Sequence, residues 1–354
     1  MKALILSGGK GTRLRPITHT SAKQLVPVAN KPILFYSIEA IRAAGITEVG
    51  IVVGETAAEI RDACGTGSNW GVHITYIQQS APLGLAHAVM ISQDFIGDSP
   101  FVVYLGDNLV VDGISSFVQT FNTSSPDALI LLANVPNPQD FGVAFLEDGR
   151  VVKLEEKPQH PTSNFALVGV YLFGNRIFEA VNAITPSRRG ELEITDSIQY
   201  LIDNAGKVES HQVTGWWKDT GRLSDMLEAN RLVLETISAS QRGEVDTRSE
   251  VIGNVSLAEG SKIINSVVRG PAIIGADTVI ENAYIGPFTS IYHNCTVRNS
   301  EIEHSIILEH SRILDIESRI EDSLIGRNVL VSRSIGKPVA YRFMLGDSSE
   351  VGII

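Results

Sequence analysis

The chain is 354 residues long, with 44% hydrophobic and 19% charged residues, a length that suggests about two domains, each able to bury its own core. Its net charge of −11 argues against nucleic acid as a partner, so the positive groups needed by any anionic ligand must be gathered locally. No apolar run approaches the roughly 20 residues of a membrane helix, and with a strand pattern at the start no signal peptide is expected. Cys64 and Cys295 stand far apart, which gives no disulfide framework and fits a reducing compartment, so a cytoplasmic location is expected.

The first element is Ala3-Leu-Ile-Leu6, four apolar residues that read as a short buried strand. Gly8, Gly9 and Gly11 follow. Their missing side chains permit close approach to the backbone, and bare N–H groups beside the guanidinium forks of Arg13 and Arg15 suit phosphate oxygens. The order is not that of a P-loop, which ends in Gly-Lys-Ser/Thr, and the last glycine of the dinucleotide fingerprint is missing. A plain glycine turn is the bland alternative. In the next stretch, Ser21 to Pro32, two prolines forbid a continuous helix. Lys23 there either reaches back to the glycine loop or stands in solvent.

Beyond Pro32, helical and strand patterns alternate. Helices are expected over 33–44, 57–64 and 85–95, and strands over 49–53, 73–77 and 101–105. Such alternation predicts a mostly parallel sheet with helices on both faces and ligands beyond the carboxyl ends of its strands. In one such loop, Gln78 and Gln79 with Gly84 offer side-chain amides and an open backbone, suited to a nucleobase edge or equally to a plain turn. Asp107 comes directly after the strongest strand, where a hard cation can be held together with phosphates, although aspartate is also a common turn residue.

Strands are then expected over 128–135, 143–145, 151–154 and 166–173, with Gly169 in the last marking close approach of a ligand or another backbone. Glu155-Glu-Lys-Pro158 reads by default as a solvated charge run. Helical patterns cover 177–182, begin again with Gly190-Glu-Leu-Glu-Ile-Thr-Asp196, and return over 223–238, while Trp216 to Gly221 supplies a further carboxylate, Asp219.

In this order, Leu6-Ser-Gly-Gly-Lys-Gly-Thr-Arg-Leu-Arg-Pro16, Lys23 with Lys31-Pro32, Gly106-Asp-Asn108, Glu155-Glu-Lys-Pro158, Gly190 to Asp196 and Asp219-Thr-Gly221 resemble the sugar-1-phosphate nucleotidylyltransferases. The resemblance spans residues 1 to about 235, and the Glu-Leu-Glu-Ile-Thr-Asp segment points to the thymidylyl branch. Each motif alone is weak; their joint order is specific. The resemblance implies an α/β fold, with a Rossmann-like, mostly parallel sheet in a nucleotidyltransferase domain over 1–240. It implies transfer of a thymidylyl group from dTTP to glucose 1-phosphate, with Mg²⁺ as cofactor and dTDP-glucose and pyrophosphate as products.

Carried over by residue, the resemblance assigns Leu6, Gly8, Gly9, Gly11, Thr12, Arg13, Gln24, Gln79, Gly84 and Asp107 to the nucleotide. Gly142, Glu156, Lys157 and Tyr171 fall to the sugar phosphate, and Asp107 and Asp219 to the metal. Arg13, Lys23 and Lys157 would carry catalysis. Leu83 stands where the family often has an aspartate, a departure in the loop that meets the base, and UTP is the alternative nucleotide. A sugar phosphate is already largely dianionic at neutral pH, with a second pKa of about 6, so its attack needs no general base. The obstacle is repulsion between two anions, which the cationic groups would offset during direct in-line displacement.

From Ile252 the pattern changes to a period near six. Aliphatic residues recur from Ile252, Leu257 and Ile263 to Ile325, most with a small residue two positions earlier, such as Ser261, Ala272 or Cys295; Ile306 and Arg312 break that rule. The pattern resembles the hexapeptide repeat of left-handed parallel β-helices. About four coils are expected over 251–333, after a linker at 241–250 and before a capping or docking tail at 334–354. Cys295 is then a corner residue rather than a nucleophile. Some hexapeptide-repeat proteins are acyltransferases, and His293, His304 and His310 leave a bifunctional enzyme open. A nucleotide-sugar sensor without turnover is a third reading, opposed by the complete set Arg13, Lys23, Asp107, Lys157 and Asp219. A homo-oligomer is expected.

Overall fold

The computed structural model describes residues 1–9, 11–19, 21–333, 336 and 340–353. It divides into two compact units. Met1–Lys10, Ser21–Leu25 and Ile33–Asp219 form the first, and Gly11–Thr20, Val26–Pro32 and Thr220–Ile354 the second. A single cut at residue 240 therefore does not describe the chain: two short N-terminal segments and the helix Leu223–Leu234 group with the C-terminal region.

In the first unit the strand Lys2–Ser7 sits inside a nine-stranded sheet because it is apolar on both faces. Ala3 and Ile5 enter one core and Leu4 and Leu6 the other, the alternation that a strand covered on both sides requires. It pairs in parallel with Glu48–Val53 and Phe101–Leu105, and His73–Gln78 extends the parallel side. Helices Ile33–Ala43 and Ala57–Cys64 cover one face, burying Leu34, Ile38, Ile41 and Ile60. Helices Ile177–Ala183 and Ile194–Asp203 cover the other, burying Ile177, Val181, Ile198 and Leu201. The helix expected over 85–95 is two helices, Leu85–Met90 and Gln93–Ile96. Between them Ser92 Oγ donates to the Ala88 carbonyl at 2.7 Å, a local bond that competes with the helical ladder.

Past Phe101–Leu105 the sheet continues with antiparallel pairs. Phe165–Phe173 runs against that strand and also against Ala128–Asn134 and Gly142–Glu147. The hairpin of Gly142–Glu147 with Arg150–Glu156 sets Glu156 opposite Gly142. Glu155 and Glu156 thus end a strand instead of forming a solvated charge run.

The second unit contains a parallel β-helix whose three faces carry six, six and four strands among the described residues. Residues 241–250 are not a linker. Ser240–Gln241 and Glu244–Val245 already pair with Ser256–Leu257 and Lys262–Ile263, so the array is longer than the four coils expected. The first coil escapes the sequence pattern because its inward residues, Val245 and Val251, are flanked by Glu244 and Glu250. Ile252, expected inward, is 40% exposed, and Val251 takes its place. The same one-residue change of register removes the break noted at Ile306 and Arg312: Ile307 and Ile313 point inward, and Ser305 and Ser311 are the buried small residues two positions earlier. Corners such as Asn265, Asn282, Asn294 and Asn299 adopt left-handed backbone, which asparagine tolerates because its amide bonds locally. Cys295 is buried, and burial pushes its thiol up to about 11, as befits a corner residue. Residues 340–353 run as coil with Tyr341, Phe343, Met344 and Leu345 exposed rather than packed as a cap; Pro338 and Ile354 of the expected tail lie outside the described residues.

Candidate active site

At the end of the central strand Phe101–Leu105, Asp107 meets Lys23. The Lys23 ammonium donates to Asp107 Oδ2 at 2.5 Å and lies 3.9 Å from Asp219 Oδ1. Asp219 arrives there because Trp217–Asp219 pairs antiparallel with Asn108–Val110, which sets Asp219 opposite Asn108. Lys23 is 6% exposed, so it is not a solvated loop lysine. Burial works to raise the Asp107 carboxyl, but the Lys23 charge, its hydrogen bond and that from Asn108 outweigh it and hold Asp107 below the ordinary range.

Asn108 orients this carboxylate. Its Nδ2 donates to Asp107 Oδ1 at 2.9 Å, and its Oδ1 accepts from Trp217 Nε1 at 2.6 Å. A Cβ at Gly169 would come within 2.7 Å of Asn108 Oδ1. The close approach marked by Gly169 is made by the Asn108 side chain. Asn108 stood inside the recognised Gly-Asp-Asn motif without a role, and no local signal set Trp217 apart.

The glycine loop and two amides converge nearby. A Cβ on Gly8 would lie 3.1 Å from Gln79 Oε1, and one on Gly9 would lie 4.0 Å from Gln24 Nε2. Gln24 Oε1 is buried with no hydrogen-bond partner among the described residues, a group that a ligand would satisfy. Gln79 Nε2 donates to the Gly84 carbonyl at 3.2 Å and lies 3.1 Å from His87 Nδ1. Gly84 has φ of +103°, and a Cβ there would stand 2.3 Å from the Leu192 carbonyl oxygen. Leu192 N–H donates to the Leu83 carbonyl at 2.8 Å, and Ala86 N–H to the Leu192 carbonyl at 3.1 Å, so the loop before residue 85 is stitched to the Glu-Leu-Glu-Ile-Thr-Asp stretch. The Leu6 side chain is core; its carbonyl accepts from Gly106 N–H at 3.0 Å.

A third cluster surrounds Glu156. Thr195 Oγ1 donates to its Oε2 at 3.3 Å, Arg189 Nη1 donates to Oε1 at 3.2 Å, and Lys157 Nζ lies 4.0 Å from Oε1. Gly142 leaves room here: a Cβ would meet Thr195 Cγ2 at 2.7 Å and Glu156 Oε2 at 3.1 Å. Burial and then the Glu193 charge raise the Glu156 carboxyl, with Lys157, Arg189 and Thr195 offsetting part of the effect. Tyr171 is 4% exposed, its phenol pushed up by burial and then by Glu156. Lys157 holds a left-handed φ of +43° and its N–H donates to the Phe141 carbonyl at 3.0 Å. Thr195 and Glu193 lie inside the recognised motif, whereas Arg189 carried no signal.

Gly11, Thr12 and Arg13 group with the second unit. Gly11, at φ +62°, opens the short 3₁₀ helix Thr12–Leu14, and its carbonyl accepts from Leu14 N–H at 3.0 Å and Thr18 Oγ1 at 2.7 Å. Leu14 is buried while Thr12 and Arg13 are exposed.

A family model for nucleotidyl transferases matches residues 2–236. The chain is 58% identical to the glucose-1-phosphate thymidylyltransferase of Streptomyces antibioticus, over 100% of this chain and 99% of that protein. It is also 58% identical to the glucose-1-phosphate thymidylyltransferase of Streptomyces griseus, over 100% of this chain and 99% of that protein. A solved Bacillus anthracis structure, described as a glucose-1-phosphate thymidylyltransferase in complex with sucrose, matches with a TM-score of 0.63 at 35% identity, covering 68% of this chain and 98% of that one. The chain therefore belongs to the nucleotidyl transferase family and, within it, to the glucose-1-phosphate thymidylyltransferases.

Proposed function

We infer that this chain transfers a thymidylyl group from dTTP to glucose 1-phosphate, releasing pyrophosphate and dTDP-glucose. The observation that carries the reading is the buried Lys23 held between Asp107 and Asp219, at 2.5 and 3.9 Å, directly beside the Gln24 amide. In the reaction a phosphate oxygen of the sugar attacks the α-phosphorus as the bond to the departing pyrophosphate oxygen breaks. No proton has to be removed, so the chain's task is to offset repulsion and hold the line of attack.

Lys23 presents one positive charge to the reacting phosphates, and Lys157 another to the sugar phosphate. Arg13 adds a guanidinium from the 11–20 segment. Asp107 and Asp219 offer hard oxygen donors whose charge Lys23 balances, a set that fits Mg²⁺ held jointly with phosphate oxygens and water. When bound, the ion supplies charge neutralisation at the α-phosphate and the leaving pyrophosphate.

Gly8, Gly9, Gln24, Gln79 and Gly84 hold the nucleotide, and the Gln79 amide offers a donor and an acceptor to the base edge. Glu156, with the space left by Gly142, accepts from sugar hydroxyls, and Tyr171 closes that pocket. Cys64 and Cys295 are both buried free thiols, the state kept in a reducing compartment, and we place the enzyme in the cytoplasm.

The test is pyrophosphate release with glucose 1-phosphate, Mg²⁺ and each of dTTP, UTP, CTP, ATP and GTP. Fast release with dTTP is expected. Release with UTP alone would replace the thymidylyl reading by a uridylyl one, and silence with all five despite tight nucleotide binding would make the chain a sensor.

A further inference from the structure

Two pieces of chain that flank Lys23 belong to the second unit, Gly11–Thr20 and Val26–Pro32, while Ser21–Leu25 between them belongs to the first. The second piece is a hairpin. Pro27–Val28 pairs antiparallel with Lys31–Pro32 across Ala29 and Asn30, whose φ values of +48° and +58° suit a two-residue turn. Asn30 Nδ2 donates to the Ile291 carbonyl of the β-helix at 2.7 Å. Asn230, on the helix Leu223–Leu234, is fully buried: its Oδ1 accepts from Ala29 N–H and from Ser290 Oγ, each at 2.8 Å, and its Nδ2 donates to the Phe288 carbonyl at 3.0 Å. One amide thus ties hairpin, helix and β-helix coil together. On the other flank Ile17 lies over Gly326, where a Cβ would approach Ile17 Cδ1 to 3.2 Å.

We propose that Asn30 and Asn230 are positioning residues for the reaction, through which the β-helix fixes the segment that carries Lys23 and Gln24. This rests on the roles proposed above for those two side chains. Ser21–Leu25 is joined at both ends to chain held on the β-helix, so slack in the hairpin passes directly into it. A displacement of about 1 Å at reacting groups costs on the order of 100-fold in rate. The β-helix then influences turnover without contributing a reacting group.

N30G tests this most cleanly, because glycine keeps the left-handed turn and removes only the bond to Ile291. N230D keeps both contacts at Oδ1 and loses donation to Phe288. S266A is the control: it removes a buried β-helix hydroxyl, bonded to the Ile264 carbonyl at 2.7 Å and to Ala283 N–H at 3.0 Å, that touches neither hairpin nor helix. In N30G and N230D, amide hydrogen exchange over residues 21–25 should rise about tenfold or more, and kcat should fall about tenfold with the KM for glucose 1-phosphate held within roughly twofold. S266A should change neither. Unchanged exchange over 21–25, unchanged kcat alongside faster exchange, or an equal effect of S266A would each overturn the proposal. A native protein that releases no pyrophosphate from any nucleotide would refute the thymidylyl reading instead, and exchange would still decide whether the β-helix holds the segment.

Discussion

Lys23→Met keeps most of the length of the unbranched side chain, one heavy atom short, removes its charge and leaves the Asp107 and Asp219 carboxylates without it. At an effective dielectric of about 20, the gross attraction lost is about 7 kcal/mol at 2.5 Å and about 4 kcal/mol at 3.9 Å. Desolvation of the same charges offsets most of this. Breaking a buried pair by removing one partner costs about 3–5 kcal/mol net, and the Asp107 and Asp219 side chains are 24% and 27% exposed, so the low end, about 3 kcal/mol, is expected. For a unit of roughly 200 residues this lowers Tm by about 6–12 °C.

The sign with pH is also defined. Asp107 has a depressed carboxyl in the native protein, so its contribution is present above the ordinary value of 3.8 and is lost as pH falls through the lowered value. Without Lys23, burial prevails and the carboxyl rises, so the deficit of Lys23→Met is largest near neutral pH and shrinks as acid protonates Asp107. Thermal unfolding followed by tryptophan fluorescence in EDTA, at neutral pH and in mild acid, measures this. Lys23→Met with Asp107→Asn should recover much of the loss, because the uncompensated charge is gone. A single variant within about 0.5 kcal/mol of native, or a double variant as unstable as the sum of its parts, would refute the reasoning.

Three further outcomes are expected. Gly84→Ala forces a side chain into a conformation that costs about 1–3 kcal/mol and against the Leu192 carbonyl; it should raise the KM for the nucleotide about tenfold while sparing that for glucose 1-phosphate, and unchanged steady-state constants would show that the loop adapts. Glu156 has a raised carboxyl, so the stability it contributes falls as pH climbs from the ordinary 4.5 through the raised value; Glu156→Gln should flatten that fall in a Tm series against pH, and an unaltered slope would assign it elsewhere. Arg13→Ala should lower kcat on the order of 100-fold with little change in sugar-phosphate KM, and near-normal turnover would remove Arg13 from the reaction.

Much of the first unit was readable because its strands and helices are covered by one another and their periodicity is strong. Lys2–Ser7, Ala57–Cys64 and Phe101–Leu105 follow directly from apolar runs and helical spacing. Asn108–Val110, Ser115–Ser124 and Val208–Gln212 did not stand out. The first is three residues long, the second is rich in serine and threonine, and the third is polar and partly exposed. In the β-helix the spacing was correct but the register slipped by one residue at Ile252, Leu308 and Leu314, each of which has an aliphatic neighbour, Val251, Ile307 or Ile313, that takes the inward position.

The site divides in the same way. Residue type and order marked Gly8, Gln79, Gly84 and Asp107 as candidates, because phosphate, base and cation recognition favour open backbone, amides and carboxylates at strand ends, whereas the roles expected of Lys23, Glu156 and Asp219 came only with the family resemblance. Only the tertiary structure could show that Lys23 is buried between two carboxylates, that Gly169 makes room for Asn108, and that Arg189 and Glu193 set the field around Glu156. It also decided that segments next to Lys23 are held on the β-helix. These are contacts between residues remote in sequence, and a pattern read along the chain carries local preference but not the distances at which remote charges and amides meet.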